Sequence, residues 1–139
     1  MRSSNRLIGQ TKSVGFEVGA RKTFPISVEQ AWALLTSKQG WNIWLGNVEG
    51  MVFEPGQHYR TANGVEGEVR VINPCVNIRL TWKLPEWATP STVQVRTILS
   101  GKHTTISFHQ EKLAGAQERE AMHARWQAVL QALEDLISA

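Results

Sequence analysis

The chain reads as an α+β domain: a curved antiparallel β-sheet wrapped around a long carboxy-terminal helix, with two short helices after the first strand. Three observations predict this. Met122, Trp126, Val129, Leu130, Leu133, Leu136 and Ile137 fall at helical spacing and form one apolar stripe. From residue 51 to Leu113 the apolar period is two, the mark of half-buried strands. A single helix with so long a stripe can bury it only against a sheet that bends around it.

The elements follow in order. Phe16, Val18, Ala20 and Phe24 alternate with Glu17, Arg21 and Thr23, which predicts a first strand closed by Pro25. Ser27 and Gln30 have capping-box spacing ahead of Ala31, Trp32, Leu34 and Leu35, so a short helix should start there and end near Gly40. Trp41 to Leu45 suggest a second helical turn before Gly46. About six strands are then expected. Met51 and Phe53 alternate with Val52 and Glu54, and Pro55-Gly56 turns the chain. Asn63-Gly64 predicts a type I′ hairpin between residues 59–61 and 65–72, since both residues tolerate positive φ. Gly67, Val69 and Val71 should face the core, with Glu66, Glu68 and Arg70 on the other face. After Asn73-Pro74, Val76, Ile78, Leu80 and Trp82 form the clearest half-buried strand. A loop with Pro85, Trp87 and Pro90 leads to a last hairpin, 92–99 with 104–110, turned at Ser100-Gly101. The long helix should run from about Gln117 to Ser138, roughly 33 Å at 1.5 Å per residue. Glu118 and Glu120 suit the positive end of its dipole, whereas Glu134 and Asp135 lie at the negative end.

At 139 residues with no internal repeat, the chain is the size of one domain, read as an amino-terminal arm over 1–12 and a folded unit over 13–139. Residues 1–24 carry Arg2, Arg6, Lys12, Arg21 and Lys22 against Glu17, while the rest holds ten basic and eleven acidic side chains. The body is therefore near neutral, which argues against a nucleic-acid partner. One cysteine, Cys75, excludes an internal disulfide and fits a reducing compartment. No apolar run reaches the roughly 18 residues of a membrane span, and no secretory h-region follows the basic start. A cytoplasmic location is expected.

Chemistry-bearing spacings are few. His103 and His109 share a strand face but lie about 20 Å apart, too far for one zinc, and His58 and His123 have no partner at ligand spacing. No metal and no cofactor are expected. The Glu66-Glu68-Arg70 ladder should point to water, where an arginine neighbour lowers a carboxylate's pKa and spoils it as a general acid. No nucleophile elbow or phosphate loop occurs, so no catalytic residue is assigned. Six tryptophans against one tyrosine are more informative. Trp44, Trp82 and Trp126 fall on inward faces of three elements. They build either a packed core or, with Met51, Phe53, Tyr59 and Met122, the wall of an apolar cavity to which Gln110 offers a polar contact. Trp87 is then a surface aromatic or a lid.

Several local motifs, in this order, resemble the SRPBCC or START-like superfamily and its helix-grip fold, and most closely the Aha-type domains, homologues of the activator of the ninety-kilodalton heat-shock protein's ATPase. They are Val-Glu-Gln-Ala-Trp-Ala-Leu-Leu-Thr from Val28 to Thr36, Trp44, Pro55-Gly56 with Tyr59, and Gly67-Glu68-Val69 leading to Pro74. Leu80-Thr81-Trp82, the 104–108 strand and Trp126 complete the set. The chain departs from the pattern at Gly56-Gln57, where relatives often pair glycines, and at Arg125, where they have glycine before the final-helix tryptophan. The resemblance implies a groove between helix and sheet, with relatives that bind lipids, polyketides or plant hormones. A few relatives catalyse cyclisation, and one branch stimulates a chaperone ATPase. The expected function is a non-enzymatic binding module for a small hydrophobic or amphipathic ligand. A chaperone-interacting domain is the alternative, and a polyketide-cyclase-like enzyme the third reading.

Overall fold

The computed structural model describes residues 10–11, 15–48, 50 and 52–139. Element order is β1 (Gln10–Thr11), β2 (Gly15–Phe24), α1 (Val28–Leu35), α2 (Lys38–Trp44), β3 (His58–Arg60), β4 (Glu66–Asn73), β5 (Asn77–Trp82), β6 (Ser91–Ser100), β7 (His103–Leu113) and α3 (Ala116–Ser138). One antiparallel sheet carries the strands in the order β1-β2-β7-β6-β5-β4-β3. The 23-residue α3 packs across β2 and β7, and α1 and α2 close the remaining side. Of the arm expected over 1–12, Gln10–Thr11 pair with β2; its other residues lie outside the described set.

The core is what the two periodicities require. Ile78, Leu80 and Trp82 of β5, Val93 and Val95 of β6, and Ile106 and Phe108 of β7 are buried on the inner face. Met122, Trp126, Val129, Leu130 and Leu133 of α3 meet them. Two ties hold α3 along β2: Arg119 Nε donates to the Glu17 carbonyl at 3.0 Å, and Lys22 Nζ pairs with Glu134 at 3.2 Å. Glu134, misplaced with respect to the helix dipole, thus has a cation from the first strand. Asp135 accepts from Gln131 one turn earlier.

Five details differ from expectation, each for a local reason. The strands after the helices number five among the described residues. Val52 and Phe53 lie outside any strand, because the chain is turning at Glu54–Gln57. The predicted Asn63-Gly64 type I′ turn is absent: only Gly64 has positive φ, 90°, and the connection spans Thr61 to Val65. Thr61 is the cause, since its Oγ1 accepts from the Val65 N–H and widens the loop. A β-bulge between Val69 and Val71 reverses the parity of β4, so Ile72, and not Val71, faces the core opposite Ile78. Val76 has core parity but sits in the Asn73–Asn77 turn, half exposed.

The fifth is Gly40. It does not end the first helix; Ser37 does, by capping α2 through the Gly40 N–H. Gly40 lies inside α2 where that helix meets the end of α1, and a Cβ built there would fall 1.7 Å from the Leu34 carbonyl oxygen. Glycine to alanine inside a helix ordinarily stabilises by about 1 kcal/mol. Here the sign reverses: Gly40→Ala should lower the stability by about 2 kcal/mol through overpacking. Urea titration checks this, and a stabilised variant would refute the contact.

Candidate functional site

The sheet places its polar interior groups in one line. Trp126 Nε1 donates to Gln110 Oε1 at 2.9 Å, Gln110 Nε2 donates to Ser91 Oγ at 2.8 Å, and Ser91 Oγ donates to the Trp82 carbonyl at 2.6 Å. The chain of bonds runs from α3 through β7 and β6 to β5. Phe108 stacks on Trp126 with centroids 4.8 Å apart and planes within 10°, and touches Trp44 at 6.2 Å. Trp44 Nε1 donates to the Leu35 carbonyl, which ties α2 to α1. Phe53 leans on both Trp41 and Trp44. Trp87 packs edge-on against Trp82 at 5.4 Å, so the loop aromatic covers the inner end of β5.

Tyr59 is the polar member on the far side. It is buried, and its hydroxyl donates to the Thr81 carbonyl across the backbone of Gly67. A Cβ at Gly67 would lie 2.6 Å from that hydroxyl and 1.9 Å from the Thr81 oxygen, so only glycine leaves the path open. Burial pushes the Tyr59 phenol far above its ordinary range, against a smaller opposing effect of Arg125.

Arg125 joins these groups. Its guanidinium carbon lies 5.3 Å from the ring centroids of both Trp82 and Trp126, and Nη2 donates to the Trp44 carbonyl at 2.9 Å. Burial lowers its pKa, and Tyr59 nearby opposes that shift. No carboxylate pairs with it among the described residues. Arg125 Nε and Trp82 Nε1 are both buried donors with no partner in the chain, as is Trp41 Nε1. A half-buried cation without a counter-charge, beside unsatisfied donors, is costly to keep.

From this cluster Arg125 reaches the surface. With Ile43 of α2 and Ala128, Val129 and Ala132 of α3 it lines an open groove of about 420 Å³. Residues 125, 128, 129 and 132 are one face of α3, and the two alanines leave the space that Ile43 overlooks. A larger concavity, about 550 Å³, lies at β3–β5 and is lined by His58, Arg60, Glu66, Glu68, Thr81 and Lys83 among others. Its two acids are paired with arginines: Arg60 meets Glu66 at 2.8 Å, and Arg70 meets Glu68 at 3.4 Å. The arginine neighbour holds Glu66 below its usual range. Unlike the α2–α3 groove, this concavity is lined by no buried donor that lacks a partner among the described residues.

Of the residues expected to form the site, Trp44, Tyr59, Trp82, Gln110, Met122 and Trp126 are all buried, and Phe53 is half-buried against the tryptophans. Met51 lies outside the described residues. Sequence reasoning noted Arg125 only as a departure from a pattern and passed over Ala128 and Ala132. A signal was present: Arg125 is three residues after Met122 and four before Val129, a cation within the apolar stripe. Among the described residues no cluster of His, Cys, Asp or Glu could hold a metal ion, and no helix is long and apolar enough to cross a membrane.

The buried phenol gives a clean test, because Tyr59 is the single tyrosine of the chain. Its folded pKa lies above its unfolded value near 10, so the stability it carries is complete below about pH 10 and falls as pH rises further. Tyrosinate absorbance should therefore appear only together with loss of tertiary structure. Ionisation near pH 10 in the folded protein would show an exposed phenol.

Comparison with known proteins agrees with this architecture. The structure of CalU16 from Micromonospora echinospora superposes with a TM-score of 0.78 at 18% identity, over 88% of this chain and 76% of that one. DynU16, from the dynemicin biosynthetic locus, gives 0.79 at 16% identity over 88% of this chain, which spans only 47% of it. PFC0360w, an HSP90 activator from Plasmodium falciparum, gives 0.72 at 20% identity, over 89% and 97% of the two chains. At such identities the likeness is one of fold. No curated protein sequence matches the chain. The family model described as Activator of Hsp90 ATPase homolog 1-like protein matches residues 25–138, from the end of β2 to the end of α3, and the chain belongs to that family.

Proposed function

We propose that this protein is a binding module for a small apolar or amphipathic molecule, held where α2 and α3 meet the aromatic interior. The observation that carries this reading is the α2–α3 groove, whose apolar walls end at Arg125 and through it at buried donors that lack partners. In this reading Trp44, Phe53, Tyr59, Trp82, Met122 and Trp126 are the packed interior that supports the groove and do not themselves line it. Gln110 holds Trp126 in place. Sites for small ligands combine apolar walls with a few convergent polar groups, which is the composition found here.

A second reading, a domain that docks on a chaperone of the Hsp90 type, has family membership behind it and one surface feature. Ile98 and Leu99 are exposed, Leu99 at 69%, beside Arg21 and Lys22 at one end of the sheet. The groove is the better-supported site, because the concavity of about 460 Å³ at that end is lined mostly by polar side chains and holds no buried donor without a partner among the described residues.

Titration with 1-decanol, followed by tryptophan fluorescence, tests the proposal. Saturable binding of one molecule per chain is expected, and Ala132→Phe, which fills the groove from the helix surface, should abolish it. The substitution should change stability by no more than about 0.5 kcal/mol, as surface changes do. Unsaturable partitioning, or binding that survives Ala132→Phe, would remove the groove from consideration.

A further inference from the structure

We infer that Arg125 is the receptor for a ligand's head group and that the molecule bound in the α2–α3 groove is an amphipathic carboxylate. This rests on the binding-module reading and adds the ligand's chemical class. Four observations lead to it. Arg125 is half-buried, and no carboxylate of the chain answers it among the described residues. Its Nη2 is used by the Trp44 carbonyl, while Nε is buried and idle. The Trp82 ring, 99% removed from solvent, has its centroid 5.3 Å from the guanidinium carbon, and its indole N–H is idle as well. The groove that Arg125 lines is otherwise apolar: Ile43, Ala128, Val129 and Ala132.

The donors select the ligand's polar end. Arginine and indole N–H groups donate and accept nothing, so the head must be an acceptor. A guanidinium in a desolvated setting favours an anion over a neutral acceptor, and its planar fork matches a carboxylate. An ammonium head is excluded by like charge, and a hydroxyl head meets the hydrogen-bonding need without the charge. The two ring contacts hold the guanidinium at the groove's inner end, so the alkyl or aryl body lies outward along Ala128 and Ala132.

Three probes of equal chain length separate this inference from the reading beneath it: sodium decanoate and decyltrimethylammonium, each below its micellar concentration, and 1-decanol, below its solubility limit. The wild-type protein should bind decanoate at least about tenfold more tightly than decanol, the scale of one charge-assisted hydrogen-bonded pair, and the ammonium least. Arg125→Met, which keeps an apolar stem, should weaken decanoate far more than decanol and erase the difference between them. Arg96→Gln, an exposed change on the sheet's outer face, should leave the preference unaltered. Decanol and decanoate binding alike to wild type would overturn the head-group inference and spare the binding module. Failure of both to bind would overturn both. Should Arg125→Met not fold, the ranking of the three probes on the wild-type protein decides the matter alone. A preference for decanoate that persists in a folded Arg125→Met would also overturn the inference.

Discussion

The hydrogen bond from Trp126 to Gln110 is the contact on which the geometry of this molecule depends. A helix lying on a sheet through apolar contacts alone can slide or rotate at small cost, because the hydrophobic effect is non-directional. One buried indole N–H, held by one buried amide, fixes both the rotation of α3 and its position along the sheet. The amide is in turn held by Ser91, and Ser91 by the backbone of β5, so three strands share in placing one tryptophan. Breaking any link would leave a donor or acceptor unsatisfied in the interior, at about 1–3 kcal/mol each.

With Trp126 fixed, its neighbour Arg125 has little freedom. The adjacent position on the helix sends the guanidinium between the rings of Trp82 and Trp126 and towards the carbonyl at the end of α2. The domain thereby keeps a cation in a half-buried setting with ring faces and one carbonyl as company. Those contacts recover part of the desolvation cost, since a cation over indole contributes about 0.5–1 kcal/mol when exposed and about 2 kcal/mol when desolvated. They leave two donors idle. Structural ion pairs elsewhere in the protein are complete, as Arg60–Glu66 and Lys22–Glu134 are, which sets the incomplete one apart.

Much of the fold was legible in the sequence because its determinants are local or periodic. The stripe on α3, the alternation in β5 and the Ser27–Gln30 capping box each act within a few residues. What was not legible depends on a distant partner. The bulge at Arg70 exchanges Val71 for Ile72 only because β5 stands opposite. Gly40 reads as a helix terminator until the end of α1 is seen to press against it. The inward tryptophans were readable by parity, but the groove was not, since it arises from alanines of α3 meeting Ile43 of a different helix. Arg125 stood in plain view as a cation in an apolar stripe, and its meaning required the two rings that flank it.

The fully buried tryptophans are of two kinds: Trp126 and Trp44, whose indole N–H groups are spent on the fold, and Trp82, whose N–H has no partner in the chain and, in the head-group inference, turns to the ligand. The indole and arginine Nε region of a ¹H–¹⁵N correlation spectrum, recorded during decanoate titration, tests this most directly. The Trp82 indole and Arg125 Nε resonances should shift in step with saturation, while the Trp126 and Trp44 indole resonances stay in place and exchange slowly with solvent. Movement of the Trp126 resonance with Trp82 and Arg125 unmoved would contradict the account.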